Sequence, residues 1–152
     1  MIQRIQTIYL LAAAAVAVVC LCLPVGTYES GGLVVSKAYN LWIASPNGLR
    51  DLSVWPLFAV LAFVAAISLY AIFVYSNRIV QARFCMFGML LLLGWYILFF
   101  VFSRFVTVGE GAMEFTPSLT CALPFVSMVL IFLARRAILA DEKLVRAADR
   151  IR

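Results

Sequence analysis

Histidine is missing from this 152-residue chain, and with it the commonest general base and metal ligand at neutral pH. Charge is scarce too. Only 12% of residues are Asp, Glu, Lys or Arg, about half the share of a typical soluble chain, while 66% are hydrophobic. A mean hydropathy of +1.07 leaves too little polar surface to coat a soluble globule. An integral membrane protein is therefore expected.

The four cysteines, Cys20, Cys22, Cys85 and Cys121, form no C-x-x-C pair and no zinc spacing. All lie in or beside apolar runs, where a thiol serves as a small hydrophobe. Cys20 and Cys22 approach the same expected membrane level as Cys121, so a disulfide is an alternative that spacing does not decide. Glycine is sparse, and Gly88 and Gly94 form no GxxxG motif. The most restrictive absence is inside the long apolar runs, which contain no Asp, Glu, Lys or Arg. Proton-coupled transporters and many ion pathways depend on such residues. Without histidine or buried carboxylates, no nucleophile–base–acid set can be assembled. No enzymatic activity, cofactor or metal is expected. Thr7, Ser68, Tyr70, Thr120 and Ser127 read as packing hydroxyls that bond to their own or a neighbouring helix.

What the chain does have is four apolar runs, at 5–23, 56–75, 84–103 and 117–133. Each approaches the roughly 20 helical residues that cross about 30 Å of hydrocarbon. The runs are continuous rather than alternating, which predicts helices and not a barrel. Pro56 suits a first helical turn, and Thr116 is a cap for the fourth helix. Pro124 predicts a bend near Leu119 or Thr120. The first run exceeds the core of a signal peptide and is followed by no A-x-A-like site, so it is expected to remain as a helix.

Charge sets the expected orientation. Arg4, the connection holding Arg78 and Arg83, and the tail are net positive, whereas the other connections are balanced or negative. This alternation is the positive-inside pattern, and it points to a lipid bilayer and away from nucleic acid. Arg4, Arg78, Arg83, Arg135 and Arg136 are expected as anchors at the cytoplasmic interface. Loops 24–55 and 104–116 should face outward. Both termini, with tail 134–152, should be cytoplasmic. Trp55 and Tyr75 suit the two aromatic belts, while Trp95 and Tyr96 fall mid-span and should pack inside.

The first outer loop has strand composition. "TYES" and "LVVSKAYNLWI" flank Gly31-Gly32, a hairpin turn signal. "SPNGLRD" reads as a turn. "RFVTVGEGAMEF", in the second outer loop, adds a further strand or hairpin. Glu110 and Glu114 follow Arg104 in a glycine-flanked turn, which reads as a solvated loop with an Arg104–glutamate contact, not as a catalytic pair.

The tail, "LARRAILADEKLVRAADRIR", places Ile138, Leu144, Val145, Ala148 and Ile151 largely on one helical stripe. Glu142 and Arg146 form an acid-before-base pair at i, i+4. No Gly or Pro interrupts the chain after Pro124, so the last helix should run on beyond the membrane as one rod or bend at the surface and lie flat. Two readings stand. One is a stop-transfer anchor in which Arg135 and Arg136 snorkel to phosphates. The other is docking of the stripe onto a protein partner, a second copy, or the chain's own cytoplasmic loop.

"MIQRIQTIYLL", "VWPLF", "NRIVQARFC" and "RRAILADEKLVRAADRIR" together resemble the domain-of-unknown-function 4293 family, small four-helix inner-membrane proteins of the Bacteroidota. The resemblance spans essentially the whole chain. It implies a four-pass protein with both termini inside and carries no activity with it. "YNLWI" is also similar to the tryptophan motif of claudin-like proteins, in which a β cap covers four helices, but the paired loop cysteines of that motif are missing.

The expected fold is an all-α membrane protein. A four-transmembrane-helix bundle carries a small extracytoplasmic β cap and a cytoplasmic C-terminal helix extension. The expected function is a non-enzymatic scaffold or accessory subunit acting through cap and tail. The alternative is a small transporter or channel subunit for a neutral or lipidic solute.

Overall fold

The computed structural model describes residues 3–30, 33–44, 48–75, 77–105 and 114–149. Four helices, α1 (Gln3–Cys22), α2 (Trp55–Phe73), α3 (Arg78–Phe105) and α4 (Leu123–Asp149), make up most of it. All four are long and apolar enough to cross a membrane. α1 packs against α2 and α4, and α3 packs against the same two. The helices therefore form a square, with α1 and α3 on one diagonal.

Small residues set the closeness of that packing. Ala13, Ala17 and Cys20 recur at helical spacing on α1 and are fully buried; without bulk there, backbones can approach. The remaining core is filled by larger groups, including Leu57, Leu61 and Val64 of α2, Leu92 and Trp95 of α3, and Ile131 of α4.

Two helices differ from the apolar runs that predicted them. α3 begins at Arg78, well before the expected start at residue 84. Nothing in "RIVQAR" breaks a helix, and apolarity measures what fits in hydrocarbon, not where hydrogen bonding starts. At 28 residues and 1.5 Å per residue, α3 is about 42 Å long, so its ends must extend past a hydrocarbon layer of about 30 Å. The fourth apolar stretch begins at Leu119, close to Pro117, but its α-helix begins only at Leu123 and Thr116 does not cap it; Thr116 and Pro117 come earlier. Both belong to a strand, and a single 3-10 turn, Leu119–Ala122, leads into α4 at Leu123. Pro124 thus falls in the first turn of α4, where its missing N–H leaves no helical bond unmade. The expected bend becomes a helix start.

At one end of the square lies a five-stranded sheet in the order β4-β3-β2-β1-β5. Its strands are β1 (Gly26–Ser30), β2 (Leu33–Ala38), β3 (Ile43–Ala44), β4 (Arg50–Asp51) and β5 (Glu114–Pro117). All pairings are antiparallel. β1 and β2 are the expected hairpin, and β5 comes from the second connection to pair with β1. The strands alternate faces, as the pleat requires. Tyr28 lies opposite Ser36, Ala38 lies opposite Ile43, and all four are buried toward the helices. Gly26 is needed for contact, not for a turn: a Cβ there would run into the Phe115 ring, which packs against Tyr28 and Phe99.

Candidate functional site

Polar groups are concentrated at the two ends of the bundle. At the sheet end, Asn40 projects from the link between β2 and β3 and is fully buried. Its Nδ2 donates to the Cys20 carbonyl at 2.8 Å, and its Oδ1 accepts from the Trp95 indole N–H at 3.1 Å. The amide orientation follows from its partners, since indole can only donate and a carbonyl can only accept. Cys20 sits in the last turn of α1, where carbonyls have no helical partner, so Asn40 caps α1 and tethers α3 with one side chain. Its own carbonyl accepts from Phe58 N–H, which adds α2.

The same end holds a second set of bonds to the 3-10 turn that leads into α4. Tyr96 donates its hydroxyl to the Cys121 carbonyl at 2.8 Å. The Val25 carbonyl accepts from Cys121 Sγ at 2.8 Å and from Ser118 N–H at 2.9 Å. Trp95 stacks on Phe99 and meets Tyr96 edge-on. Sheet and bundle are therefore clasped through buried hydrogen bonds whose donors and acceptors are matched. Outside the spans, burial and then the Asp51 carboxylate push the Tyr28 hydroxyl above its ordinary pKa.

At the opposite end, Arg78 Nη1 contacts the Asp141 carboxylate at 3.0 Å and donates to its backbone carbonyl at 3.2 Å. This joins the start of α3 to the extension of α4. Gln81 Nε2 donates to the Ala71 carbonyl at 2.9 Å, capping α2 much as Asn40 caps α1. Glu142 and Arg146 form the expected i, i+4 pair at 2.9 Å on the exposed side.

The expected anchors are dispersed among these elements. Arg4 lies in the first turn of α1, and Arg83 and Arg136 are exposed on α3 and α4. Arg135 is half-buried. Trp55 and Tyr75 are exposed at opposite ends of α2, as belt residues would be. Arg104 has its guanidinium over the Phe100 ring, while Glu114 pairs with Glu29 across β1 and β5.

The tail stripe is not a single surface. Ile138 is fully buried, on the same inward seam as Ser127, Ile131 and Ala134. It is core because α4 is still packed against the bundle at that depth. Asp141 takes the next turn of the seam, and the apolar contact gives way there to the ion pair with Arg78. Leu144 and Val145 are 60% and 42% exposed. Ala148 lies in the last turn of the described helix, and Ile151, Glu110 and the Gly31-Gly32 turn lie outside the described residues. All four cysteines carry free thiols; Cys20 and Cys121 do reach the same end, but each thiol turns to a backbone carbonyl.

Asn40, Gln6, Gln81 and the Arg78–Asp141 pair escaped the sequence reading. A lone amide among apolar neighbours was the available signal for Asn40, since a buried amide must find partners; Gln6 and Gln81 stand in polar stretches beside Arg4 and Arg83 and gave no such signal. The ion pair had none, because its members lie 63 positions apart.

A family model described as "Domain of unknown function (DUF4293)" matches residues 2–151. No curated protein matches the chain.

Proposed function

The chain belongs to the DUF4293 family, whose function is unknown, and from that premise we propose that it is a non-enzymatic membrane scaffold or accessory subunit. Its working surfaces are the sheet at one end and the α4 extension at the other. The sheet faces outward, and both termini, with Arg78 and Arg83, face the cytoplasm of a bacterial inner membrane, as the positive-inside pattern favours.

The observation that carries this reading is the tight packing where the four helices meet. The gap there lined by Leu10, Ser68, Cys85, Gly88 and Ile131 has no room for a water molecule, so it offers a solute no passage at that level. Exposed apolar residues stand instead beyond the spans, at Leu33 and Leu49 of the cap and at Leu144 of the tail.

A partner held by the tail should be lost on mutation without loss of the fold. Replacing Leu144 and Val145 with Gln should leave thermal unfolding within about 0.5 kcal/mol of wild type, as expected of exposed sites. It should abolish recovery of partners crosslinked in the native membrane. Identical partners recovered with both proteins would sink the tail's share of the proposal.

A further inference from the structure

Away from the sheet, a cavity of about 150 Å³ opens among Gln6, Thr7, Ile72, Tyr75, Arg78 and Gln81. Its chemistry is one-sided. Gln6 is only 3% exposed, and its Nε2 has no hydrogen-bond partner. A buried amide donor left in this state is unfavourable. Gln81, beside it, is already committed to Ala71. Arg78 opens a 28-residue helix, so the first-turn N–H groups and the positive end of the helix dipole lie at the cavity wall. Both contacts of Arg78 with Asp141 use Nη1. A guanidinium has five donors in a planar fork, so its other edge is available to a second acceptor. Among the described residues no carboxylate lines the cavity.

We propose that this cavity binds a phosphate-type oxyanion, held by the Gln6 amide and the Arg78 guanidinium at the start of α3. Donors converge from two helices on a space equal to several water volumes, at about 30 Å³ each. That is room for a tetrahedral oxyanion. Asp141 acts as a positioning residue: it holds Arg78 from the α4 side while leaving the fork's far edge turned to the ligand. A lipid headgroup and free phosphate offer the same chemistry at this depth. The proposal does not depend on the scaffold reading.

The test uses the full chain purified in an uncharged detergent. Its thermal midpoint is followed against inorganic phosphate at constant ionic strength, with chloride as the control, and separately against phosphatidylglycerol in mixed micelles. A saturable rise with one probe is expected. Gln6→Leu should weaken that response about 10- to 100-fold, the range for a hydrogen bond to a charged group. The unliganded midpoint should hold or rise, because the unpaired amide is gone. Gln6→Glu should abolish the response by placing a carboxylate at the site, and it carries the comparison if Gln6→Leu does not fold. A response to phosphatidylglycerol with none to inorganic phosphate assigns the oxyanion to a lipid headgroup; a response to inorganic phosphate assigns it to free phosphate. The proposal fails if neither probe moves the midpoint, or if wild type and the Gln6 variants respond alike.

Discussion

Asn40 satisfies a donor and an acceptor at once, and few side chains could replace it. In Asn40→Leu the Trp95 N–H and the Cys20 carbonyl both lose their partner. Each unsatisfied buried group costs about 1–3 kcal/mol, so thermal unfolding should show a loss of about 2–6 kcal/mol. Asn40→Asp should lose more, because a carboxylate cannot donate to Cys20 and would be buried unpaired. Equal stability of Asn40→Leu and wild type would show that the clasp contributes nothing. Tyr28 supplies the pH dependence at this scale. Its pKa is raised in the folded protein, so the folded state holds the phenolic proton more tightly than the unfolded chain. That contribution is fully present below the ordinary tyrosine value near pH 10 and is lost as pH rises through the folded value. Unfolding followed across the alkaline range should show a steeper loss for wild type than for Tyr28→Phe.

At the level of elements, helix starts and stops follow local chemistry more closely than apolar length does. Pro124 shows why. Counted within a run that begins near residue 117, it predicts a bend; placed in the first turn of α4, it breaks nothing. Pro124→Ala should accordingly change stability by less than about 1 kcal/mol, since a proline in the helix interior would instead cost about 3 kcal/mol. A gain approaching that larger figure on substitution would mean that the proline does sit in a strained interior. The α3 start makes a related point. Arg78 and Arg83 read as loop charges because charge interrupts hydropathy, yet long basic side chains are good helix formers and can reach a polar layer from a helix. The stripe on α4 was legible as helix but not as surface. Its phase relative to the bundle decides that Ile138 is core and that Leu144 is exposed, and no property of the tail alone contains that phase.

For the whole molecule, the proposed orientation is open to direct measurement. Single cysteines placed at exposed Leu33 in the cap and Lys143 in the tail, in a background without the native thiols, should label differently with a membrane-impermeant maleimide in intact cells. Leu33→Cys should react from outside, and Lys143→Cys should react only after lysis. The opposite pattern would invert the topology, and reaction of both would argue against an even number of crossings.

Sequence by itself determined that the long helices are apolar enough to cross a membrane, how many of them there are, and the β1–β2 hairpin. These depend on composition, run length and turn residues, which are additive over neighbouring positions and need no knowledge of the partner. Tertiary structure alone decided which polar atoms meet. Asn40 and Trp95 are 55 positions apart, and Arg78 and Asp141 are 63 apart. Such pairs depend on the order of helices around the square and on the rotation of each helix, both of which are set by packing the whole chain at once. The same rotation leaves the Gln6 amide buried beside Arg78, facing a cavity and not a neighbouring acceptor.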